Sequence, residues 1–104
     1  MKNLIVLMVA ICIAPPCAAQ EPKEKECKKV SEFSWIVMQN RQLGIPLVDI
    51  MERWGTAGKD IILLAYDTPR QDRDARDAAA ADFRDAMVVA CYRDEISIDV
   101  SRLP

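Results

Sequence analysis

The chain reads ARDAAAADFRDAMVVACY from Ala75 to Tyr92, and this stretch predicts one amphipathic helix. Its alanine run, 78–81, has the highest intrinsic helix propensity, and no residue in the stretch breaks a helix. Carboxylates gather near the amino end, where the helix macrodipole is positive. We therefore expect one face in the core and a solvated opposite face. Apolar residues recur every three or four positions, as one helix face requires: Ala79, Phe83, Ala86 or Met87, and Ala90 or Cys91.

Residues 1–19 predict a secretory signal peptide. Lys2 gives a positive start, an uninterrupted apolar run covers 4–14, and small residues precede Gln20. The run is too short to cross a bilayer comfortably, since a spanning helix needs about 20 apolar residues. We therefore expect cleavage after Ala19 and a mature protein that is periplasmic or secreted. Contact with a membrane would come only from an uncleaved signal.

Cleavage would leave two of the four cysteines, Cys27 and Cys91, in the mature chain. In an oxidising compartment an isolated pair favours a disulfide, which would join the first helix to the last. The loop it closes spans most of the mature chain, so the chain-entropy model gives a stabilisation of roughly 4 kcal/mol. A catalytic redox pair would be close in sequence, and two cysteines without histidine do not complete a zinc site. The sequence therefore predicts a structural bridge.

Composition restricts the functions to be considered. The formal net charge is −2, and loss of Lys2 with the signal makes the mature chain more acidic. Nucleic-acid binding needs a basic face, so the charge argues against it and is compatible with a basic protein partner. The chain has no histidine, which excludes a serine triad, an imidazole metal centre and a cysteine–histidine nucleophile. Because its carboxylates lie in solvated charge runs, we expect no enzyme activity and no bound cofactor or metal.

The chain as a whole predicts a small all-α bundle of about four helices. The first helix of the domain is predicted from about Lys25 to Leu43, and Gly44 with Pro46 just beyond it ends the helix. We expect Trp35 and Trp54 in the core. The predicted segments are a signal peptide at 1–19, a solvated lead-in at 20–26, a disulfide-closed domain at 27–93 and an extended tail at 94–104.

Two shorter helices are predicted between the first and the last. One runs from Pro46 to about Trp54, after which Gly55 and Gly58 bracket a turn. The other covers 57–67, and its run at 61–65 is apolar on every side, as in a centrally buried helix. A strand is the competing interpretation for so short a β-branched run. The tail alternates apolar and polar residues, so it either lies extended over the helices or adds to the sheet edge of another chain.

A set of residues along this domain carries a family resemblance. In order they are Cys27, Met38-x-x-Arg41-Gln42-x-Gly44, Met51, Ala65-Tyr66-x-x-Pro69-Arg70, Phe83 and Ala90-Cys91-Tyr92. This order resembles a family of small exported proteins found in tailed phages and bacterial prophages. The resemblance implies a setting rather than a mechanism, and the tail departs from the family pattern. In architecture alone, the chain is also similar to the phage superinfection-exclusion protein Spackle, a small exported helical domain with one disulfide that blocks the tail-associated lysozyme of an incoming phage.

Five residues are candidates for an interface: Arg41, Gln42, Tyr66, Arg70 and Tyr92. In the structural interpretation, Arg41 lies in the last turn of the first helix and Arg70 just past the third, where they bond the last carbonyls. In the functional interpretation, they project to one surface and bind an acidic partner or an anion. The tyrosines are either half-buried packing residues or binding hot spots.

The leading hypothesis for function is protein binding in the periplasm. Export, negative charge and the resemblance together predict that the protein inhibits a basic cell-wall lysozyme or excludes a second phage. The alternative is a periplasmic acid-stress chaperone, which would need carboxylates that become neutral at low pH and expose apolar surface. A third interpretation is a domain that only assembles with itself.

Overall fold

The structure, a computed structural model, describes the backbone of residues 14–104 and the side chains from Pro22 onward. The signal peptide predicted for residues 1–19 lies outside the part that is described in full. No strand occurs among residues 14–104, so the all-α prediction is confirmed and the strand alternative is wrong. None of the helices in this part is both long enough and apolar enough to cross a membrane. The helices are α1 (Ala14–Gln42), α2 (Leu47–Asp67) and α3 (Arg76–Tyr92), with 3₁₀ turns at Arg73–Ala75 and Val100–Arg102.

The first helix begins earlier than the sequence predicts. α1 starts at Ala14 rather than near Lys25 and has Pro22 inside it, so the predicted lead-in at 20–26 is helical. Residues 23–29 are mostly lysine and glutamate, which are strong helix formers and can pair across one helical turn. A solvated helix needs no apolar face, and the apolar pattern therefore missed its first turns.

The disulfide between Cys27 and Cys91 joins α1 to the last turn of α3. Both side chains are buried, and their Cα atoms are 5.6 Å apart. Near the other end of α1, Gln39 Nε2 donates to Asp77 Oδ1 at 3.2 Å. The early part of α1 thus lies against the end of α3, and the late part of α1 lies against the beginning of α3. The predicted pairing is confirmed, and the two helices are antiparallel neighbours.

The core forms around α1. α2 and α3 both pack on α1 and scarcely touch each other. Trp35 and Trp54, which were expected in the core, are only partly buried at its edge. The rings of Phe33 and Trp54 meet edge to face with centroids 5.8 Å apart. The buried apolar side chains come from all three helices and the tail: Cys27, Val30, Phe33, Val37, Met38, Ile50, Ala57, Ile61, Ile62, Ala65, Ala80, Phe83, Met87, Cys91 and Leu103.

The two helices predicted between residues 46 and 67 form the two halves of α2, which meet at Gly58. The backbone has a kink at this glycine, where φ is −131° and ψ is 34°. The Phe33 ring packs against Gly58 so closely that a Cβ atom there would overlap it. The chain turns back at Gly58, since the Tyr66 hydroxyl reaches the Ile45 carbonyl oxygen at 2.6 Å from 21 residues along the chain. One helical run of that length would hold these residues far apart, so the predicted turn between two helices is present. The bundle therefore has four helical segments, as predicted: α1, the two halves of α2 on either side of Gly58, and α3.

The tail after α3 lies across α2. The Asp99 N–H donates to the Ala57 carbonyl oxygen at 2.9 Å, and the Ser97 N–H donates to Asp60 Oδ2 at 3.0 Å. This is one of the two arrangements predicted for the tail. Its apolar side chains pack on or within the core: Ile96, Ile98 and Leu103.

Candidate functional site

Four of the five candidate interface residues meet at one end of the domain. The end of α1 lies beside the end of α2 and beside the α1–α2 connection. Four candidate residues meet there, and we call them the loop clasp: Arg41, Gln42, Tyr66 and Arg70. Arg41, Gln42 and Tyr66 bond mostly to backbone atoms, whereas Arg70 is exposed and lies against Gly44. The loop clasp therefore fastens the connections between helices to one another.

Gln42 is the buried centre of the loop clasp. Its Nε2 donates to the Pro69 carbonyl oxygen at 3.2 Å and lies 3.4 Å from Met38 Sδ. Its Oε1 accepts from the Gln71 N–H at 2.6 Å. The side chain is completely buried, so all of its contacts are internal. Gln42 thus has a structural role and leaves no surface for a partner.

Arg41 and Tyr66 connect the ends of α1 and α2. Arg41 Nε donates to the carbonyl oxygen of Thr68, the residue that caps α2, at 3.1 Å. Its guanidinium lies over the Tyr66 ring, 5.2 Å from the centroid. The Tyr66 hydroxyl donates to the Ile45 carbonyl oxygen at 2.6 Å. Arg41 thus bonds a carbonyl at a helix end, as the structural interpretation describes. That end belongs to α2, however, and not to α1, where Arg41 lies.

The Tyr66 hydroxyl is held in its protonated form. Burial raises the pKa of this phenol above its ordinary value of 10.0. The neighbouring Arg41 charge opposes part of the rise, and Asp49 adds to it. At neutral pH the hydroxyl is therefore a donor to Ile45.

Gly44 explains the position of Arg70. The chain leaves α1 through a Schellman motif, in which Gly44 has φ +83° and the Ile45 N–H donates to the Asn40 carbonyl oxygen at 3.0 Å. The Arg70 guanidinium lies over Gly44, and a Cβ atom at this glycine would be 3.2 Å from Arg70 Cζ. Glycine therefore provides both the left-handed conformation and the space for Arg70.

Tyr92 does not belong to the loop clasp. Tyr92 follows Cys91, which is bonded to Cys27 on α1. Cys27 and Arg41 are roughly 20 Å apart along the axis of α1, so Tyr92 lies near the opposite end of this helix. Tyr92 is 51% exposed, next to an exposed Val89 on the same helix. The five candidate residues therefore do not form one surface.

Exposed leucines on α2 were missed by the sequence analysis. The run at 61–65 was expected to be buried on every side, but Leu63 is 39% and Leu64 is 42% exposed. α2 packs against α1 on one face only, and these two side chains lie on the uncovered face. A second group of exposed aliphatic side chains, which we call the corner patch, lies around the α1–α2 connection: Leu43, Leu47 and Val48.

Two shallow hollows lie along the second half of α2, the second of them lined by the exposed leucines, and together we call them the α2–α3 groove. The first hollow lies between the end of α2 and α3, and its lining includes Thr68, Ala75, Ala79, Asp82, Phe83 and Ala86. The second lies between α2 and the beginning of the tail and is lined by Asp60, Leu63, Leu64, Glu95 and Ile96. Thr68 lines the first hollow and Leu64 lines the second, and residues four apart lie on the same face of a helix.

No family model matches the chain, and neither a curated protein nor a solved structure is significantly similar to it. Among the described residues, no three histidine, cysteine, aspartate or glutamate side chains lie close enough together to hold a metal ion. The surface that the geometry offers is apolar, shallow and bordered by carboxylates. Such a surface suits contact with another macromolecule.

Proposed function

We propose that this chain is an exported protein of the phage or prophage type that acts by binding another protein, and that the partner is a basic cell-wall lysozyme. Binding would inhibit the lysozyme or exclude a second phage. The predicted signal peptide would place the protein in the periplasm, where such enzymes meet the cell wall.

The observation that carries the proposal is the exposure of Leu63 and Leu64, because other parts of this domain are held together by long-range contacts. The disulfide, the loop clasp and the tail each join distant parts of the chain. Two neighbouring leucines nevertheless remain 39% and 42% exposed, and burial of this surface against a partner would be worth about 25 cal/mol for each Å² of apolar area. Apolar side chains that remain exposed in this way are typical of binding surfaces.

Charge supports a basic partner. The chain has a formal net charge of −2, and the carboxylates Asp60 and Glu95 lie beside the two leucines. Complementary charge accelerates encounter with a basic protein and favours it over acidic competitors.

The proposal is tested with the exported protein and with muramidases from phage tails and from host cells. We expect the protein to inhibit at least one of them at near-stoichiometric concentration, and its expression to reduce plaque formation. An unrelated acidic periplasmic protein of similar size controls for non-specific charge effects. If every muramidase keeps its full activity and plaque numbers do not change, the proposed function is wrong.

A further inference from the structure

We infer that the α2–α3 groove binds a basic amphipathic helix presented by a partner protein. The inference rests on the proposed function, since it names the binding surface and the element of the partner that would occupy it. It goes beyond that function because it names the apolar and acidic side chains of the groove that would recognise the helix.

The shape of the groove follows from the packing of the helices. α2 and α3 both lie against α1 and scarcely touch each other, so a channel remains between them on the side away from α1. On α3 the lining runs from Ala75 to Ala86, which is roughly 17 Å of helix rise, or about three turns. Ala90 lies four residues beyond Ala86 on the same face of α3, and the N–H of Glu95, which lines the second hollow, donates to the Ala90 carbonyl oxygen at 2.9 Å. An added helix would thus have a wall on both sides, formed by α2 and α3.

Apolar side chains provide the contacts at the floor and the rim. Phe83 is 8% exposed in the first hollow, and Leu63 and Leu64 project into the second. Alanines between them let a helix backbone approach closely. A helix that binds in a groove is anchored by apolar side chains at three- and four-residue spacing. The apolar residues of the two hollows can contact side chains at this spacing.

Charge selects the occupant. Among residues 22–104, the charged side chains that line the two hollows are Asp60, Asp82 and Glu95, all carboxylates. Asp60 is held in place by the Ser97 N–H, and Glu95 lies 3.8 Å from Arg93 in an exposed pair that solvent screens. Lysine or arginine on the flanks of an apolar helix face would meet these carboxylates. A second copy of the same groove, an acidic segment and an anionic lipid surface would all be repelled.

The corner patch lacks this selectivity. Leu43 and Val48 are 61% and 60% exposed, more than the leucines of the groove, but residues 43–48 contain no charged side chain. The corner patch therefore serves as a matched control of equal apolar character.

The experiment uses a synthetic leucine–lysine amphipathic helix as the probe, with a leucine–glutamate peptide of the same leucine spacing as its control. Binding to the isotope-labelled exported protein is followed by titration and by amide chemical shifts. We expect saturable binding of the leucine–lysine peptide alone, with shift changes around Leu63, Leu64 and Asp82. Affinity should fall about tenfold or more in L63S/L64S, which corresponds to about 1.4 kcal/mol. It should change less than about twofold in L43S/V48S.

A second variant tests the role of charge. D82N/E95Q should weaken binding of the leucine–lysine peptide and reduce its dependence on salt, while leaving the circular dichroism spectrum unchanged. Three outcomes would each overturn the inference: equal binding of the two peptides, chemical-shift changes that cluster at the corner patch, or an equal loss of peptide affinity in the two serine variants. If a muramidase is inhibited equally by L63S/L64S and by the unaltered protein, the proposed function stands and the groove assignment falls. If the peptide binds in the groove while every muramidase is unaffected, the groove stands and the proposed function falls.

Discussion

The Asp99 N–H donates to the Ala57 carbonyl oxygen, at 2.9 Å, one residue before the kink of α2. This bond joins the position of the tail to the bend in the helix. The bend in turn depends on Gly58, where the Phe33 ring takes the space of a side chain. A contact between α1 and α2 thus determines where the last residues of the chain lie.

The kink predicts that Gly58→Ala is destabilising. The new Cβ atom would overlap the Phe33 ring, and relief of such overpacking typically costs about 1–3 kcal/mol. Gly55→Ala is the matched control, because its Cβ atom would be 3.0 Å from the flexible end of Met51 and alanine favours a helix by up to about 1 kcal/mol. Urea unfolding measures both. Equal stability of the two variants would show that Phe33 does not restrict Gly58.

The buried side chain of Gln42 predicts a loss of stability in Gln42→Met. The change leaves the Pro69 carbonyl oxygen and the Gln71 N–H without their partner, at a cost of about 1–3 kcal/mol. Gln39→Met removes an exposed hydrogen bond to Asp77 and should cost less than about 0.5 kcal/mol. Denaturant midpoints compare the two variants. A midpoint for Gln42→Met that matches the unaltered protein would contradict the assigned structural role.

The disulfide predicts a large effect of reduction. Its loss removes a constraint on the unfolded chain between Cys27 and Cys91, and typically costs about 2–5 kcal/mol in a small domain. The melting temperature should therefore drop when a reductant is added. In C27S/C91S the melting temperature should already be low and should not respond to the reductant. A protein whose melting temperature ignores the reductant would lack this bridge.

The Tyr66 hydroxyl predicts a stability difference that depends on pH. Tyr66→Phe removes the bond to the Ile45 carbonyl oxygen and should cost about 0.5–1.5 kcal/mol at pH 7. The pKa of Tyr66 is raised in the folded protein, so its contribution is complete below the ordinary value of 10.0 and is lost as pH rises beyond it. Urea unfolding from pH 7 to 11 should therefore show the two proteins becoming more alike above pH 10. Tyr92→Phe, at an exposed position, is the control. A constant difference across the range would disprove the assignment.

The sequence predicted features that depend on a local pattern of residues, and the one cysteine pairing that remains when the other two cysteines are set aside. The helix ending at Tyr92 follows from its apolar period, and the Cys27–Cys91 pairing follows from the prediction that a signal peptide carrying the other two cysteines is removed. The beginning of α1 was missed because a solvated lysine–glutamate helix has no apolar period to detect. The glycines at 55 and 58 predicted the turn within α2, but the reason that position 58 needs a glycine lies in the Phe33 ring of another helix and is invisible to a local pattern.

The candidate site was harder to predict, because its contacts join residues that are distant in sequence. Gln42 bonds to Pro69 and Gln71, and no period or spacing indicates those partners. The exposure of Leu63 and Leu64 depends on whether a further helix covers α2, which is a property of topology rather than of composition. An apolar run of this kind therefore predicts a helix but not the number of faces that the fold buries.

The position of α1 between α2 and α3 also bears on how the protein is made. Ribosomes deliver α1 first, but its apolar face has no cover until α2 appears, and part of that face waits for α3 near the end of synthesis. Until the final residues emerge, the nascent chain carries an uncovered apolar helix and an unpaired thiol at Cys27. We therefore expect the domain to fold only after most of the chain has emerged, later than a domain of the same size built from sequence-local contacts.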